Sequence, residues 1–252
     1  MVIFRLHTKM VFLIVAILLV SCKDEHEPVV PSYTYEEFIT QVREFSGMCY
    51  NQDKTALLAV SDEGEIYEIN FDGTTRRKLP YKGNHDFEAI TINHATGEIY
   101  VADEGNNKIF MLASTTSQTL TEIVNINVGK VKNNGIEGVS YGADTLFIVN
   151  QQNPIMLIKY CLSDKTCKYI TLDENDFTNL SDICYDQTDG TLWILDSQKK
   201  RVSHCNSNGK MMNWQSVDMI TQPEALLVDS NQKTIWIGCD PTRKLYKIKL
   251  TI

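Results

Sequence analysis

Three glutamates open equivalent short phrases in this chain: Phe87-Glu88-Ala89-Ile90, Ile136-Glu137-Gly138-Val139 and Pro223-Glu224-Ala225-Leu226. If the fold brings them together, three carboxylates repel one another. Buried and ionised, each also costs several kcal/mol unless it is paired. Either a cation compensates them or their pKa values rise. Hard oxygen ligands converging with Asn side chains favour Ca²⁺ or Mg²⁺ over a soft metal. Two other uses stay open. Each Glu could hydrogen-bond backbone N–H groups of a neighbouring element and lock the fold, or one could act as a general acid or base.

The phrase shows what must position these groups. Weaker copies are Phe45-Ser46-Gly47-Met48 and Leu180-Ser181-Asp182-Ile183, so the second positions fall at 46, 88, 137, 181 and 224, in steps of 42, 49, 44 and 43 residues. A period of this size, built from short apolar runs, is that of propeller blades. The runs are rich in β-branched and aromatic residues, punctuated by Gly, Asn and Asp. Stretches such as Leu192-Trp193-Ile194-Leu195 lack strict alternation, as expected of strands packed on both faces. The expected fold is therefore all-β: a single propeller over residues 38–252, five blades of four antiparallel strands. The last blade, from Pro223, has room for three strands, so an N-terminal strand at roughly 38–45 is expected to complete it and close the ring. Trp193 and Trp236 occupy equivalent second strands and read as inter-blade core, whereas Trp214 lies in an outer strand.

Antiparallel neighbours place the start of each innermost strand and the end of the second at one end of the blade. Ser46, Glu88, Glu137, Ser181 and Glu224 are the starts; Asp62, Asp103, Asn150, Asp196 and Asp240 are the ends. The preceding loops add His85, Asp86, Asn133, Asn134, Asn179 and Gln222. The expected metal ligands are Glu88, Glu137 and Glu224, and the expected ligand-binding set is His85, Asp103, Asn134, Asn150, Asp196 and Asp240. Most of the Asp residues after strands have a second reading as turn-formers. His85 alone among the histidines sits on this face, placed to serve as a base.

The N-terminus carries an address. Arg5, His7 and Lys9 precede an apolar run of 11 residues, Met10 to Val20. That is too short to cross a bilayer core of about 30 Å as a helix, so residues 1–21 read as a secretory signal. Leu19-Val20-Ser21-Cys22 resembles a bacterial lipobox, which implies lipidation of Cys22. Residues 22–37 then form a flexible tether. Its acidic start, Lys23-Asp24-Glu25-His26-Glu27, is similar to the surface-export signals of Bacteroidetes lipoproteins. The implied location is the cell envelope, lipid-anchored to the outer membrane. Removing residues 1–21 takes away Arg5 and Lys9 and leaves 22 basic against 32 acidic residues, a formal charge of −10. Such a chain is a poor match to nucleic acid and suits cations, neutral glycans or a protein partner.

Six cysteines follow Cys22, none with the paired spacing of a zinc site. Cys161 and Cys167 flank a hairpin tip, where an exported chain permits a disulfide. Cys49 and Cys184 read as small buried apolar residues.

The phrases just quoted, with Ser61-Asp62-Glu63-Gly64-Glu65-Ile66-Tyr67 and Val101-Ala102-Asp103-Glu104-Gly105, resemble the SdiA-regulated (YjiK-like) family of exported β-propellers over residues 38–250. That family is similar to regucalcin-like lactonases, which hold a divalent cation on acidic residues at inner-strand starts. The resemblance thus implies Glu88, Glu137 and Glu224 as ligands, with Ser46 and Ser181 replacing carboxylates at two blades. The expected function is a monomeric, lipid-anchored module that binds a small ligand or partner at an acidic channel mouth, with Ca²⁺. A metal-assisted hydrolase of lactones or phosphoesters and a structural adaptor are the alternatives.

Overall fold

Twenty strands pair into five antiparallel sheets of four in the computed structural model, which describes residues 34–128 and 135–252. The signal segment, Cys22, Asn133 and Asn134 lie outside the described residues. Strand β1 is Tyr35–Ile39. The first blade is β2 (Phe45–Tyr50), β3 (Leu57–Ser61), β4 (Glu65–Ile69) and β5 (Thr75–Lys78). The second is β6 (Phe87–Ile92), β7 (Ile99–Asp103), β8 (Lys108–Leu112) and β9 (Thr121–Asn125). The third is β10 (Ile136–Gly142), β11 (Thr145–Asn150), β12 (Met156–Cys161) and β13 (Cys167–Thr171). The fourth is β14 (Leu180–Tyr185), β15 (Leu192–Asp196), β16 (Arg201–Cys205) and β17 (Met211–Ser216). The fifth is β18 (Pro223–Asp229), β19 (Thr234–Cys239) and β20 (Lys244–Lys249), with β1 as its outer strand.

Strands β2, β6, β10, β14 and β18 neighbour one another in turn, and β18 returns to β2, so the ring is closed. Burial grades outward along each blade. β3, β7 and β19 are buried at every position, while β5 and β9 are exposed or half-buried. Runs apolar on both faces are what second strands need, because each is covered by a blade on either side. Trp193 and Trp236 pack between blades, 2% and 5% exposed, and Trp214 is exposed. Each fully buried large apolar side chain contributes roughly 1.5–3 kcal/mol.

Closure by the N-terminal strand is as expected, but its position is not. The strand is Tyr35–Ile39, paired from Tyr35↔Ile248 to Ile39↔Lys244. Phe45, expected at its end, opens the innermost strand of the first blade and is wholly buried. Residues 40–44 cross from the rim to the hub, with Val42 buried as a plug and Glu44 at φ 45°. The β4–β5 turn packs on the end of β1: Gly73, at φ +81°, lies so close that a Cβ there would be 2.6 Å from the Ile39 carbonyl oxygen.

Cys161 and Cys167 are free thiols. Cys167 stands opposite Tyr160, and the Cys161 N–H bonds the Thr166 carbonyl at 3.0 Å. One residue of offset sends the two side chains to opposite faces of the sheet. Cys49 and Cys184 are buried in innermost strands. No helix among the described residues is long and apolar enough to cross a membrane.

Candidate functional site

The same irregularity opens every blade. The ladder pairs Phe45 with Ser61 and then Gly47 with Val60, passing over Ser46. It passes over Glu88, Glu137, Ser181 and Glu224 in the same way. Each second position is thus the extra residue of a β-bulge, a device that re-aims a side chain out of the ladder. The third position of the phrase is small in four blades because neighbouring inner strands nearly touch. A Cβ on Gly47 would lie 2.6 Å from the Ala89 Cα, and one on Gly138 would lie 2.8 Å from the Asp182 Cα.

The fourth blade breaks that pattern with Asp182. Its carboxylate is buried and accepts the Leu226 N–H across the blade seam at 2.7 Å and the Ile183 N–H at 2.8 Å. Burial pushes its pKa well above the usual range, and the two N–H groups oppose that rise. Ser181 adds a hydroxyl bond to the Pro223 carbonyl at 3.1 Å. Blade locking, one use considered for the glutamates, is the work of Asp182. The signal was an Asp where the other copies carry Gly or Ala.

The glutamates are held differently. Burial is the main cause raising all three, and their carboxylate neighbours add to it. Glu88 is pushed up to about 8 by burial, then by Asp86 and Glu104. Glu137, 7% exposed, is pushed well up by burial and then by Glu88, Glu104 and Glu224. Glu224 is raised by burial and by Asp240, against a hydrogen bond from Gln222 Nε2 at 2.9 Å. Asp62 is pushed to about 6 by burial, then by Glu44, Asp86 and Asp240. Burial raises Asp86 and Glu104, while Asp240 is the main cause raising Glu44. Glu44, Asp62, Asp86, Glu88, Glu104, Glu137, Glu224 and Asp240 thus form one electrostatically linked set at the mouth. Among the described residues, none of the eight makes an ion pair.

Asp86, Glu88 and Glu104 each present one ligand atom, and these atoms all lie within 4.8 Å of one another. Three hard oxygens at that separation fit a Ca²⁺ or Mg²⁺ ion, which the carboxylates would hold while water or a ligand completed the shell. Among the described residues this is the trio that clusters so closely, rather than Glu88, Glu137 and Glu224.

The strand-end residues divide into two kinds. Asp103, Asn150 and Asp196 are buried and stand opposite Phe87, Ile136 and Leu180. Most of their polar atoms serve turns and loops, whereas the buried Asn150 Oδ1 has no partner among the described residues. Asp196 accepts the Lys199 N–H at 2.8 Å and the Thr178 N–H at 2.7 Å, and Asn150 donates to the Pro154 carbonyl at 2.7 Å. Asp103 accepts the Asn106 N–H at 3.1 Å and meets His85 Nδ1 at 2.5 Å. His85 stacks on Phe87, with centroids 5.3 Å apart and planes 6° apart. Asp62 and Asp240 sit one residue further on, because Ser61 and Cys239 hold the pairing positions. The equivalent residue in the second blade is Glu104, which the sequence reading passed over, as it did Glu44. Asn134 lies outside the described residues.

The fold and this mouth define a five-bladed propeller with an acidic hub entrance. The chain belongs to the SdiA-regulated family, whose model matches residues 31–249. No curated protein matches it. Solved structures that share the fold include three at low identity. A chain of the nidogen/laminin complex aligns with TM-score 0.58 at 11% identity, covering 83% of this chain and 77% of the other. A gluconolactonase from Xanthomonas campestris aligns with TM-score 0.58 at 13% identity, covering 81% and 71%. Virginiamycin B lyase from Staphylococcus aureus aligns with TM-score 0.52 at 17% identity, covering 81% and 66%.

Proposed function

We propose that this protein is an envelope-tethered, lipid-anchored propeller that binds Ca²⁺ at its acidic mouth and, over it, a small ligand or a protein partner. One observation carries the reading: eight carboxylates share the mouth, and none has an ion-pair partner among the described residues. A divalent cation is the economical remedy for such a set. Asp86, Glu88 and Glu104 would hold it, and its positive charge would favour the ionised forms of Glu137 and Glu224 nearby. Neutral ligands rich in hydroxyl or carbonyl oxygen suit a mouth that repels anions in the absence of metal. Thermal melts test this: Ca²⁺ should raise Tm and EDTA should reverse the rise. Identical melts in Ca²⁺ and EDTA contradict it.

A second reading, hydrolysis of lactones or phosphoesters, is favoured by the His85–Asp103 pair beside the mouth. Asp103 would fix the imidazole tautomer and leave Nε2 to take a proton from water. A bound metal would supply Lewis-acid polarisation of the scissile group. One structural neighbour is a gluconolactonase, a likeness of fold alone. A lactone and phosphoester panel should show turnover that His85→Gln abolishes; no turnover with any substrate leaves the binding role.

A further inference from the structure

At the opposite end of the wheel a cavity of about 350 Å³ opens at the seam between the closing blade and the first. That is within the size range of small-molecule sites, about 300–1,000 Å³. Four aromatic rings line it: Phe38 of β1, Tyr50 at the end of β2, Phe71 after β4, and Trp236 of β19. Phe71 stacks on Trp236 at 5.6 Å, Tyr50 meets Phe71 edge-on at 6.1 Å, and Phe38 tilts towards Trp236 at 6.4 Å. Two ammonium groups stand over these walls. Lys54 Nζ is 5.9 Å from the Tyr50 ring centroid, and Lys247 Nζ is 5.6 Å from that of Trp236.

The charges of the lining are unequally committed. Asp229 accepts the Tyr50 hydroxyl at 3.0 Å and the Gln232 N–H at 2.9 Å. Asp72 accepts the Thr74 N–H and hydroxyl at 3.0 and 2.6 Å. Both carboxylates therefore serve the chain's own donors. Lys54 has no carboxylate partner among the described residues, and Lys247 reaches the exposed Glu36 at 3.3 Å. An exposed pair of that kind is worth about 0–1 kcal/mol and is readily exchanged. What remains is an aromatic slot whose two ammonium groups make no short ion pair with the lining carboxylates Asp72 and Asp229.

We propose that this cavity binds a small planar aromatic carboxylate, its ring against Phe38 and Phe71 and its carboxylate held by Lys54 and Lys247. Aromatic faces reward a planar apolar body through offset stacking, and an ammonium group at the rim favours the anion over its neutral counterpart. The site is independent of the acidic mouth. It lies across the seam between the fifth blade and the first.

Calorimetric titration of the mature protein with 2-naphthoate tests the site, with 2-naphthalenemethanol as the uncharged control. Saturable binding of naphthoate is expected at roughly 10–500 μM, the range that ligand efficiency sets for so few atoms. Lys54→Gln/Lys247→Gln should weaken it about tenfold or more, as loss of two charge contacts requires. Both positions are at the surface, and a Tm within a few degrees of the parent confirms the fold. Glu88→Gln and EDTA should leave naphthoate binding unchanged. No saturation at millimolar naphthoate, full affinity in the double variant, or equal affinity for the alcohol would each overturn the proposal.

Discussion

The backbone N–H of Glu104 donates to the carbonyl of Asp86 over 3.0 Å. That bond lays the turn after β7 beside the segment that enters β6, and it sets two carboxylates next to a third, Glu88. The same bond recurs as Asp62 to Glu44 at 3.3 Å, Gln151 to Gly135 at 2.9 Å and Ser197 to Asn179 at 3.0 Å. The scaffold of the mouth is therefore repeated while its chemistry is not. Only the second blade carries a carboxylate at all three positions. The fourth carries Asn179, Ser181 and Ser197, and is neutral there.

Charge removal in the second blade should act in opposite directions on stability and on metal affinity. Without metal, Glu88→Gln or Glu104→Gln relieves repulsion and should raise Tm by a few degrees, corresponding to about 1 kcal/mol in a chain of this size. The same changes should weaken Ca²⁺ binding by about tenfold or more. Melts in EDTA and a Ca²⁺ titration of each variant read both effects. A lowered Tm in EDTA would mean that the side chains lock blades instead.

The mouth should make the metal-free protein weaker as pH rises. Glu88 is raised from 4.5 to about 8 and Asp62 from 3.8 to about 6. The folded state thus holds protons that the unfolded chain has released, and unfolding becomes easier through that window. The contribution is full below about pH 4 and lost by about pH 8, and after discount for solvent screening it should total roughly 2 kcal/mol. Tm in EDTA should fall between pH 5 and 8, and Ca²⁺ should flatten the slope. A rising Tm over that range contradicts the electrostatic reading of the mouth.

Asp182→Ala should cost about 2–4 kcal/mol, because it orphans the Leu226 N–H and opens a polar hole at a blade seam. Asp182→Asn keeps one acceptor oxygen and should cost less. Ca²⁺ affinity should stay within about twofold in both. Urea unfolding followed by Trp fluorescence reads the first effect, and calorimetry reads the second.

All six thiols from Cys49 to Cys239 should alkylate in denaturant without prior reduction, since none is paired in the fold. Intact mass after alkylation decides it. A pair that reacts only after reduction would place Cys161 and Cys167 on one face of their hairpin.

The ring was legible in the sequence because each blade repeats the same need. An inner strand must open with a bulge and a second strand must be apolar on both faces, so the phrase returns wherever a blade begins. Trp193 and Trp236 followed from that repeat. The closing strand was misplaced because Phe45 can end an outer strand or open an inner one by composition, and only burial at the hub decides. Glu104 was passed over because strand ends were aligned on the first acidic residue. Asp103 takes the pairing position in the second blade, whereas Ser61 and Cys239 take it in the first and fifth. A slip of one residue exchanges a turn-forming Asp for a channel-facing one. Asp182 was visible as an exception to a small-residue position, but its reach to Leu226 depends on the spacing of two inner strands.

Calorimetric titration of EDTA-stripped protein with Ca²⁺, beside Glu88→Gln, tests the central claim most directly. Saturable binding of one ion per chain, lost or weakened about tenfold in the variant, is the predicted result. No heat of binding and no change in Tm at millimolar Ca²⁺ would contradict it, and the acidic mouth would then be a proton store rather than a metal site.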